Sequence, residues 1–265
     1  MNPWSAYESR ISERGATKRE SALKREHRYL SAKARDNLSY QHVLINGVET
    51  DLSVLNSDNL NIKTICTLPG DDFRCGSLVE WMGNHWLVIE KDANTEVYAK
   101  GLMKQCNHLL RWISADGRIV ERWCIIEDGT KYLVGEYGDR NFVAMRGDTR
   151  ISMTLAKDPD SVQLNRNSRF IIDDYDSDDV LAYRLTKPFR LGGSYNGEGV
   201  LNFVLTECNT EDSDNLELHI ANYYDYFPRE PDPGVTAPGG VDDGGSDGNI
   251  DGSDGAQLPG KKVWF

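Results

Sequence analysis

Short apolar segments separated by tight turn signals limit most strongly what this chain can fold into. Asn46-Gly47 and Asp116-Gly117 each stand between runs of strand-like residues. Asn-Gly accepts the positive φ values that a two-residue hairpin turn requires. Short strands with turn signals about every 8–12 residues are typical of sandwiches and small barrels. The sequence therefore predicts a mainly β protein with one or two small β-barrel modules, SH3-like or OB-like.

Strand-like segments continue along most of the chain. Three hairpins pair residues 42–45 with 48 onward, 77–81 with 85–90, and 96–113 with 119–126. Further strands are predicted at 131–134, 141–145, 151–155, 169–172, 181–186, 200–207 and 216–221. We place a boundary near Glu127-Asp128-Gly129, which gives a β-barrel module at 39–127 and a second β module at 128–228.

Residues 1–38 form a predicted basic helical arm. Ser5 with Glu8 and Thr17 with Glu20 have capping-box spacing, and Gly15 is a natural stop between two helices. The second helix buries too little to be central to a core, because its apolar side is thin; this side contains Leu23, His27, Leu30 and Ala34. The arm therefore either rests on its own domain or docks on another chain.

The charge distribution separates the arm from the body. The chain has 30 Lys or Arg against 42 Asp or Glu, a net charge of −12, whereas residues 1–35 have nine basic and four acidic residues, a charge of +5. The overall balance argues against a general nucleic-acid coat, whose affinity comes from neutralising phosphates. A basic end on an acidic body is suited to contacts between unlike surfaces. The alternative is that the charge serves only solubility.

After Pro228 the composition changes to Pro, Gly, Asp and Ser, which predicts an extended tail over residues 229–265. The tail ends in Lys261-Lys262-Val263-Trp264-Phe265. Two aromatic rings on a long linker are suited to docking on a neighbour, because the rings supply anchor energy and the linker supplies reach. The alternative is a leftover of the coding sequence without a role.

The sequence contains no clear catalytic or cofactor motif. Five cysteines form no C-x-x-C pair, and none of the five histidines lies in a metal-binding motif. Two acidic segments have the alternate spacing of calcium-loop ligands without the glutamate at position twelve; they contain Asp174, Asp176 and Asp178, and Asp247, Asn249 and Asp251. We expect no catalytic residue, cofactor, metal or membrane-spanning helix.

Three segments carry a similarity to a known family. They are Gly70-Asp71-Asp72-Phe73-Arg74-Cys75-Gly76-Ser77-Leu78-Val79-Glu80-Trp81, then Trp86-Leu87-Val88 with Glu90-Lys91-Asp92, and Gly101-Leu102-Met103-Lys104-Gln105-Cys106-Asn107-His108-Leu109-Leu110-Arg111-Trp112. Together with the opening Trp4 to Leu38, they resemble the head-closure, or stopper, neck proteins of tailed bacteriophages. The resemblance spans about residues 4–228.

The resemblance implies a non-enzymatic virion protein, made in the host cytoplasm and located in the neck between head and tail. Such a subunit assembles as a homo-oligomeric ring, sixfold or twelvefold, between portal or adaptor proteins and tail proteins. It seals the filled head and contacts packaged DNA transiently, with no membrane partner. Residues 158–168 and 192–199, the second interpreted as a hairpin loop, are candidates for closing the channel.

We expect the arm and the tail to bind the partner subunits. The predicted partner-binding residues are Arg10, Arg14, Lys18, Arg19, Lys24, Arg25, Arg28, Lys261, Lys262, Trp264 and Phe265. Another virion role, as a capsid decoration or tail-terminator subunit, is the first alternative. A cell-wall hydrolase and a single-strand nucleic-acid-binding module are the others.

Overall fold

The computed structural model describes residues 3–15, 17–93, 95–128, 150–173, 180–189, 194–195 and 197–228. Within these ranges the chain forms α1 (Pro3–Arg14), α2 (Lys18–Lys33), α3 (Tyr223–Tyr226), two short 3-10 turns (Ala34–Asp36 and Ser161–Gln163) and thirteen strands. The mainly β class with barrel modules is confirmed. The predicted strands 131–134 and 141–145, both calcium-like segments and the tail lie outside the described residues.

The first six strands form a closed antiparallel barrel in the order β1-β2-β3-β6-β5-β4. The strands are β1 (Tyr40–Ile45), β2 (Val48–Asn56), β3 (Ile62–Thr67), β4 (Leu78–Trp81), β5 (Asn84–Lys91) and β6 (Lys100–Gln105). Asn46 and Gly47 have φ values of 50° and 81°, so the predicted hairpin turn between β1 and β2 is confirmed. β3 is not among the predicted strands.

The barrel interior is filled by the inward-facing residues of these strands. Leu52, Ile65, Val79, Val88 and Met103 are completely enclosed. Because successive side chains of a strand point to opposite faces, the alternating pattern places one set of residues inside and the other outside. The barrel therefore has its own core.

The remaining strands form a second, barrel-like sheet in the order β10-β11-β13-β9-β8-β7, with β12 paired to β13 and β10 lying against β7. The strands are β7 (His108–Ile113), β8 (Ile119–Asp128), β9 (Arg150–Ala156), β10 (Arg169–Asp173), β11 (Val180–Phe189), β12 (Ser194–Tyr195) and β13 (Glu198–Cys208). Its core is separate from that of the first barrel and includes Leu110, Met153, Phe170 and Phe203.

The two sheets divide at residues 106–107, about twenty residues before the boundary predicted near Glu127. β7 pairs with β8, and β8 pairs onward with β9, so both strands belong to the second sheet. The side-chain amide of Asn107 donates to the Ile126 carbonyl and accepts from the Ile126 N–H, both at 2.8 Å. This pair of hydrogen bonds fixes the start of the second sheet directly after β6. The continuous strand segment predicted at 96–113 is therefore two strands in different sheets.

Residues 216–221 form turns and not the predicted strand. Only Asn215 and Ile220 pair, as an isolated bridge, and the Leu218 N–H donates to the side-chain oxygen of Asn215. His219 and Asn222 have φ values of 54° and 57°, which no strand accommodates. Local hydrogen bonds from asparagine side chains compete with strand pairing here.

A buried junction joins the two sheets. Leu87, Cys106, Ile125 and Val200 form an apolar cluster between them. Burial raises the pKa of the Cys106 thiol to about 12. Gly76 has a φ of 89°, and a Cβ atom at this position would lie 2.3 Å from the Gly199 carbonyl oxygen. Only glycine permits this close approach, so the backbones of the two sheets are in direct contact.

Candidate functional site

The arm begins with two helices whose ends follow the local sequence. The Glu20 N–H donates to Thr17 Oγ1 at 3.1 Å, so the predicted cap of α2 is confirmed. α1 begins at Pro3, two residues before the predicted cap at Ser5. Proline is favoured in the first turn of a helix because its fixed φ suits a helix and its missing N–H costs nothing there. None of the described helices is long and apolar enough to cross a membrane.

The thin apolar side of α2 faces its own first barrel. Leu23, His27 and Leu30 are half-buried, and no residue of the helix is fully buried. Leu30 and Ala34 border a groove whose opposite wall includes Tyr98 of the barrel. The helix therefore rests on its own domain and leaves its basic side exposed.

Two basic residues of the arm make contacts within the chain. Arg19 forms an ion pair with Glu96 of the first barrel, and Lys24 Nζ donates to the Ser12 carbonyl at 2.6 Å. The side chains of Arg10, Lys18, Arg25 and Arg28 are exposed, and no ion pair involves them within the described part of the chain. These four residues form the exposed basic face of the arm. The structure does not describe the side chain of Arg14 or residues Lys261, Lys262, Trp264 and Phe265.

At the base of the arm, one carboxylate joins two side chains of β1. The Tyr40 hydroxyl donates to Asp51 at 2.5 Å, and His42 Nδ1 lies 2.5 Å from the other Asp51 oxygen. The Tyr40 hydrogen bond holds the pKa of Asp51 below its ordinary value and raises that of Tyr40. The register places His42 opposite Asp51, and no local sequence pattern indicates this pair. The cluster fastens β1 to β2 where the arm enters the barrel.

An acidic cleft of about 1170 Å³ borders both sheets and the arm. Lys91 and Lys104 form ion pairs there with Asp72, at 2.7 Å, and Glu127, at 2.5 Å. Carboxylates outnumber these two ammonium groups, and they are Asp71, Asp72, Glu90, Asp92, Glu96, Glu127 and Glu198. Across the described ranges, no three His, Cys, Asp or Glu residues converge on a metal position. The cleft is therefore a negatively charged surface that attracts cationic groups.

An apolar groove of about 570 Å³ lies where α2 ends and β1 begins. Leu38 is 97% exposed, and Tyr29 and Leu55 are 59% and 42% exposed. Leu68 and Tyr98 form the barrel side of the groove. Scattered exposed apolar residues are ordinary, whereas several that line one concave surface indicate an interaction site. We call this surface, lined by these five residues with Leu30, Ala34 and Asp36, the arm groove.

The first candidate gating segment, 158–168, is tied to the second sheet. Arg122 donates to Asp158 at 2.6 Å and to Asp160 at 3.0 Å. Ser161 is fully buried and accepts the Asp158 N–H, while its own N–H donates to the Asp158 carboxylate. Burial raises the pKa of Asp158, but the Arg122 and Ser161 hydrogen bonds outweigh it and leave that pKa below its ordinary value.

In the second candidate segment, 192–199, the described residues pair as the predicted hairpin requires. Within its described residues, Ser194 pairs with Gly199 and Tyr195 pairs with Glu198. Glu198 also forms an ion pair with Arg74 of the first barrel at 3.3 Å. This hairpin end therefore lies at the junction between the sheets.

Comparison with known proteins gives one family match. Residues 16–105 match the YomX N-terminal domain, a phage-associated domain. The match begins just before α2 and ends with β6, so it covers α2, the arm groove and the complete first barrel. It supports a phage-related protein, and it covers about a third of the chain. No curated protein and no solved structure shows significant similarity to the chain.

Proposed function

We propose that this protein is a structural head-closure subunit in the neck of a tailed phage, without enzymatic activity. The observation that carries the proposal is the match of residues 16–105 to a phage-associated domain. The segments 70–92 and 101–105, which carry much of the resemblance to neck proteins, lie inside the matched range. The match supports phage origin, and the resemblance narrows the role to the neck.

The charge distribution supports assembly into a ring. Arg25 and Arg28 belong to the exposed basic face of the arm, while the cleft carries seven carboxylates on the body of the same chain. Unlike surfaces on one subunit suit a head-to-tail interface, and such interfaces close into rings when the rotation is complete. An acidic channel wall lets DNA pass without binding it, because the wall has no basic groups that neutralise the phosphates and release their counterions.

The proposed partners are a portal or adaptor protein on the head side, a tail protein on the other side, and neighbouring copies in a sixfold or twelvefold ring. The arm contacts an acidic surface of a partner, and the aromatic end of the tail docks on another chain. Arg10, Lys18, Arg25 and Arg28 carry the first contact, because they are exposed and unlike the acidic body in charge.

The test is the position and copy number of the protein in purified particles of the phage that encodes it. We expect about six or twelve copies per particle, and antibody labelling at the neck only. A phage that lacks the protein should package DNA, lose it from the head and fail to join tails. Labelling spread over the capsid would indicate a capsid decoration subunit. Labelling on isolated phage tails, and not on tailless heads, would indicate a tail-terminator subunit. The absence of the protein from particles would overturn the proposal.

A further inference from the structure

We infer that the arm groove is the receptor for Trp264 and Phe265 of a neighbouring copy of this chain. This inference rests on the proposed function, because it names the surface on which the tail docks. The groove combines three features that an aromatic anchor requires, namely a concave shape, apolar walls and exposure to solvent.

The groove is built from elements that are far apart in sequence. Leu30 comes from α2, Leu38 from the segment after it, Leu55 from the end of β2, and Leu68 and Tyr98 from loops of the barrel. Its volume of about 570 Å³ lies within the range of about 300–1,000 Å³ that is typical of ligand sites. A Trp or Phe side chain buries roughly 150–250 Å² when it enters such a site.

The length of chain after Pro228 makes the tail end available to a neighbour. Thirty-five residues, 229–263, separate the described body from Trp264. A Gly-rich linker of this length has a mean end-to-end distance of about 30–35 Å and a maximum of about 115 Å. A compact body of roughly 220 residues has a radius of gyration of about 17 Å. The tail end therefore has the reach to contact the next subunit of a ring.

The two aromatic residues of the tail end fit the apolar groove better than they fit the acidic cleft. The rings of Trp264 and Phe265 match the apolar walls, and Asp36, which lines the groove together with Lys33, is an acidic partner for the preceding lysines. Asp36 is 73% exposed in its side chain and lies 3.7 Å from Lys33 in a surface ion pair. Such an exposed pair is weak, so Lys261 or Lys262 can replace Lys33 at small cost.

The experiment places a photo-crosslinking residue at the tail end of the full chain. Phe265→p-benzoylphenylalanine protein is made in ¹⁴N and ¹⁵N forms, and the two are mixed at high concentration and irradiated. Mass spectrometry then locates the crosslinked peptides. We expect crosslinks between heavy and light chains at residues 29–38, 55, 68 and 98. Crosslinks elsewhere, crosslinks only within one chain, or none at all would overturn the inference.

A matched pair of exposed leucines controls for folding. Leu38→Asp places a charge in the groove and should reduce the crosslink yield by about tenfold, because loss of an anchor contact typically costs that much affinity. Leu60→Asp changes a leucine that is 81% exposed and does not line the groove, and it should leave the yield unchanged. Leu38→Met keeps an apolar side chain in the groove and should give the same crosslink yield as the unsubstituted chain. Equal effects of both aspartate variants would contradict the groove as the receptor.

These measurements use purified protein and no phage, so they separate the two proposals. If crosslinks between chains form at the arm groove but the protein is absent from the neck, the groove contact stands and the neck role is refuted. Neck labelling together with unchanged crosslinks in Leu38→Asp would refute the groove contact alone.

Discussion

The imidazole of His85, on β5, stacks on the indole of Trp123, on β8, with ring centroids 4.1 Å apart and planes 13° from parallel. This pair spans the junction between the two sheets and lies beside the apolar cluster that contains Leu87 and Cys106. Lys104 and Glu127 form an ion pair across the same junction. A junction with an apolar core, a stacked pair and an ion pair favours unfolding of the two sheets together.

Weakening this junction should uncouple the sheets. Leu87 is completely buried, so Leu87→Ala should lower the free energy of unfolding by about 2–5 kcal/mol. The neighbouring Cys106 is 7% exposed and has a raised thiol pKa, so its labelling reports opening of the junction. We expect Leu87→Ala to accelerate the reaction of the Cys106 thiol with an alkylating reagent in native buffer. Mass spectrometry of the Cys106 peptide measures this rate. Leu60→Ala, at an 81% exposed site, should change neither quantity.

Removal of a buried charge should destabilise the last described segment. Arg169 donates to Asp214 at 3.1 and 2.7 Å, and Asp214 also accepts the N–H groups of Glu211 and Asn222. The two side chains are 5% and 0% exposed. Asp214→Ala removes the fully buried carboxylate that pairs with this guanidinium and accepts two backbone N–H groups, so it should cost about 3–5 kcal/mol in urea unfolding.

The control for this variant is a second acidic partner of the same arginine. Glu211 lies 3.0 Å from Arg169, but its side chain is 49% exposed. Glu211→Ala should therefore cost less than about 1 kcal/mol. If both variants lost the same free energy of unfolding, burial of Asp214 would not be the reason for its contribution.

Acid should destabilise the protein partly through Asp158. Its pKa in the folded chain lies below the ordinary value of 3.8, so the unfolded chain binds this proton more readily. The carboxylate therefore contributes stability above about pH 4, and the contribution disappears as the pH falls through 3.8 towards the folded value. Asp158→Asn should flatten the dependence of the melting temperature on pH between about 5 and 2. Asp116→Asn, at an exposed neighbour of Arg118, should leave that dependence unchanged.

Reversal of charge on the arm should impair assembly without affecting folding. Arg25 and Arg28 are exposed, so Arg25→Glu with Arg28→Glu should change the melting temperature by less than a few degrees. Incorporation into particles should fall, because the substituted arm would repel the acidic partner surface that we propose. The control is Arg25→Lys with Arg28→Lys, which retains the charge. Normal incorporation of the glutamate variant would refute the role of the arm.

Local sequence signals predicted the elements that depend on neighbouring residues. Positive φ values at Asn46 and Gly47 fix the turn between β1 and β2. One hydrogen bond, from the Glu20 N–H to the Thr17 hydroxyl, fixes the cap of α2. The half-buried side of α2 also follows the predicted spacing of Leu23, His27 and Leu30. Each of these features requires only contacts within a few residues or a simple periodicity.

Features that depend on distant contacts were not predicted. β3 follows a polar segment, and its edges become clear only from pairing with β2 and β6. The division between the sheets depends on Asn107 bonding to Ile126, nineteen residues later. The groove brings Leu38 and Leu55 to a wall formed by Leu68, and no local pattern links these three positions.

The contact between Gly76 and Gly199 has a mechanical consequence for the proposed ring. The two backbones touch here without an intervening side chain, so movement of one sheet towards the other is blocked at this point. If the proposed ring meets a ring of another order, we expect adjustment to occur in the arm, which takes no part in this contact.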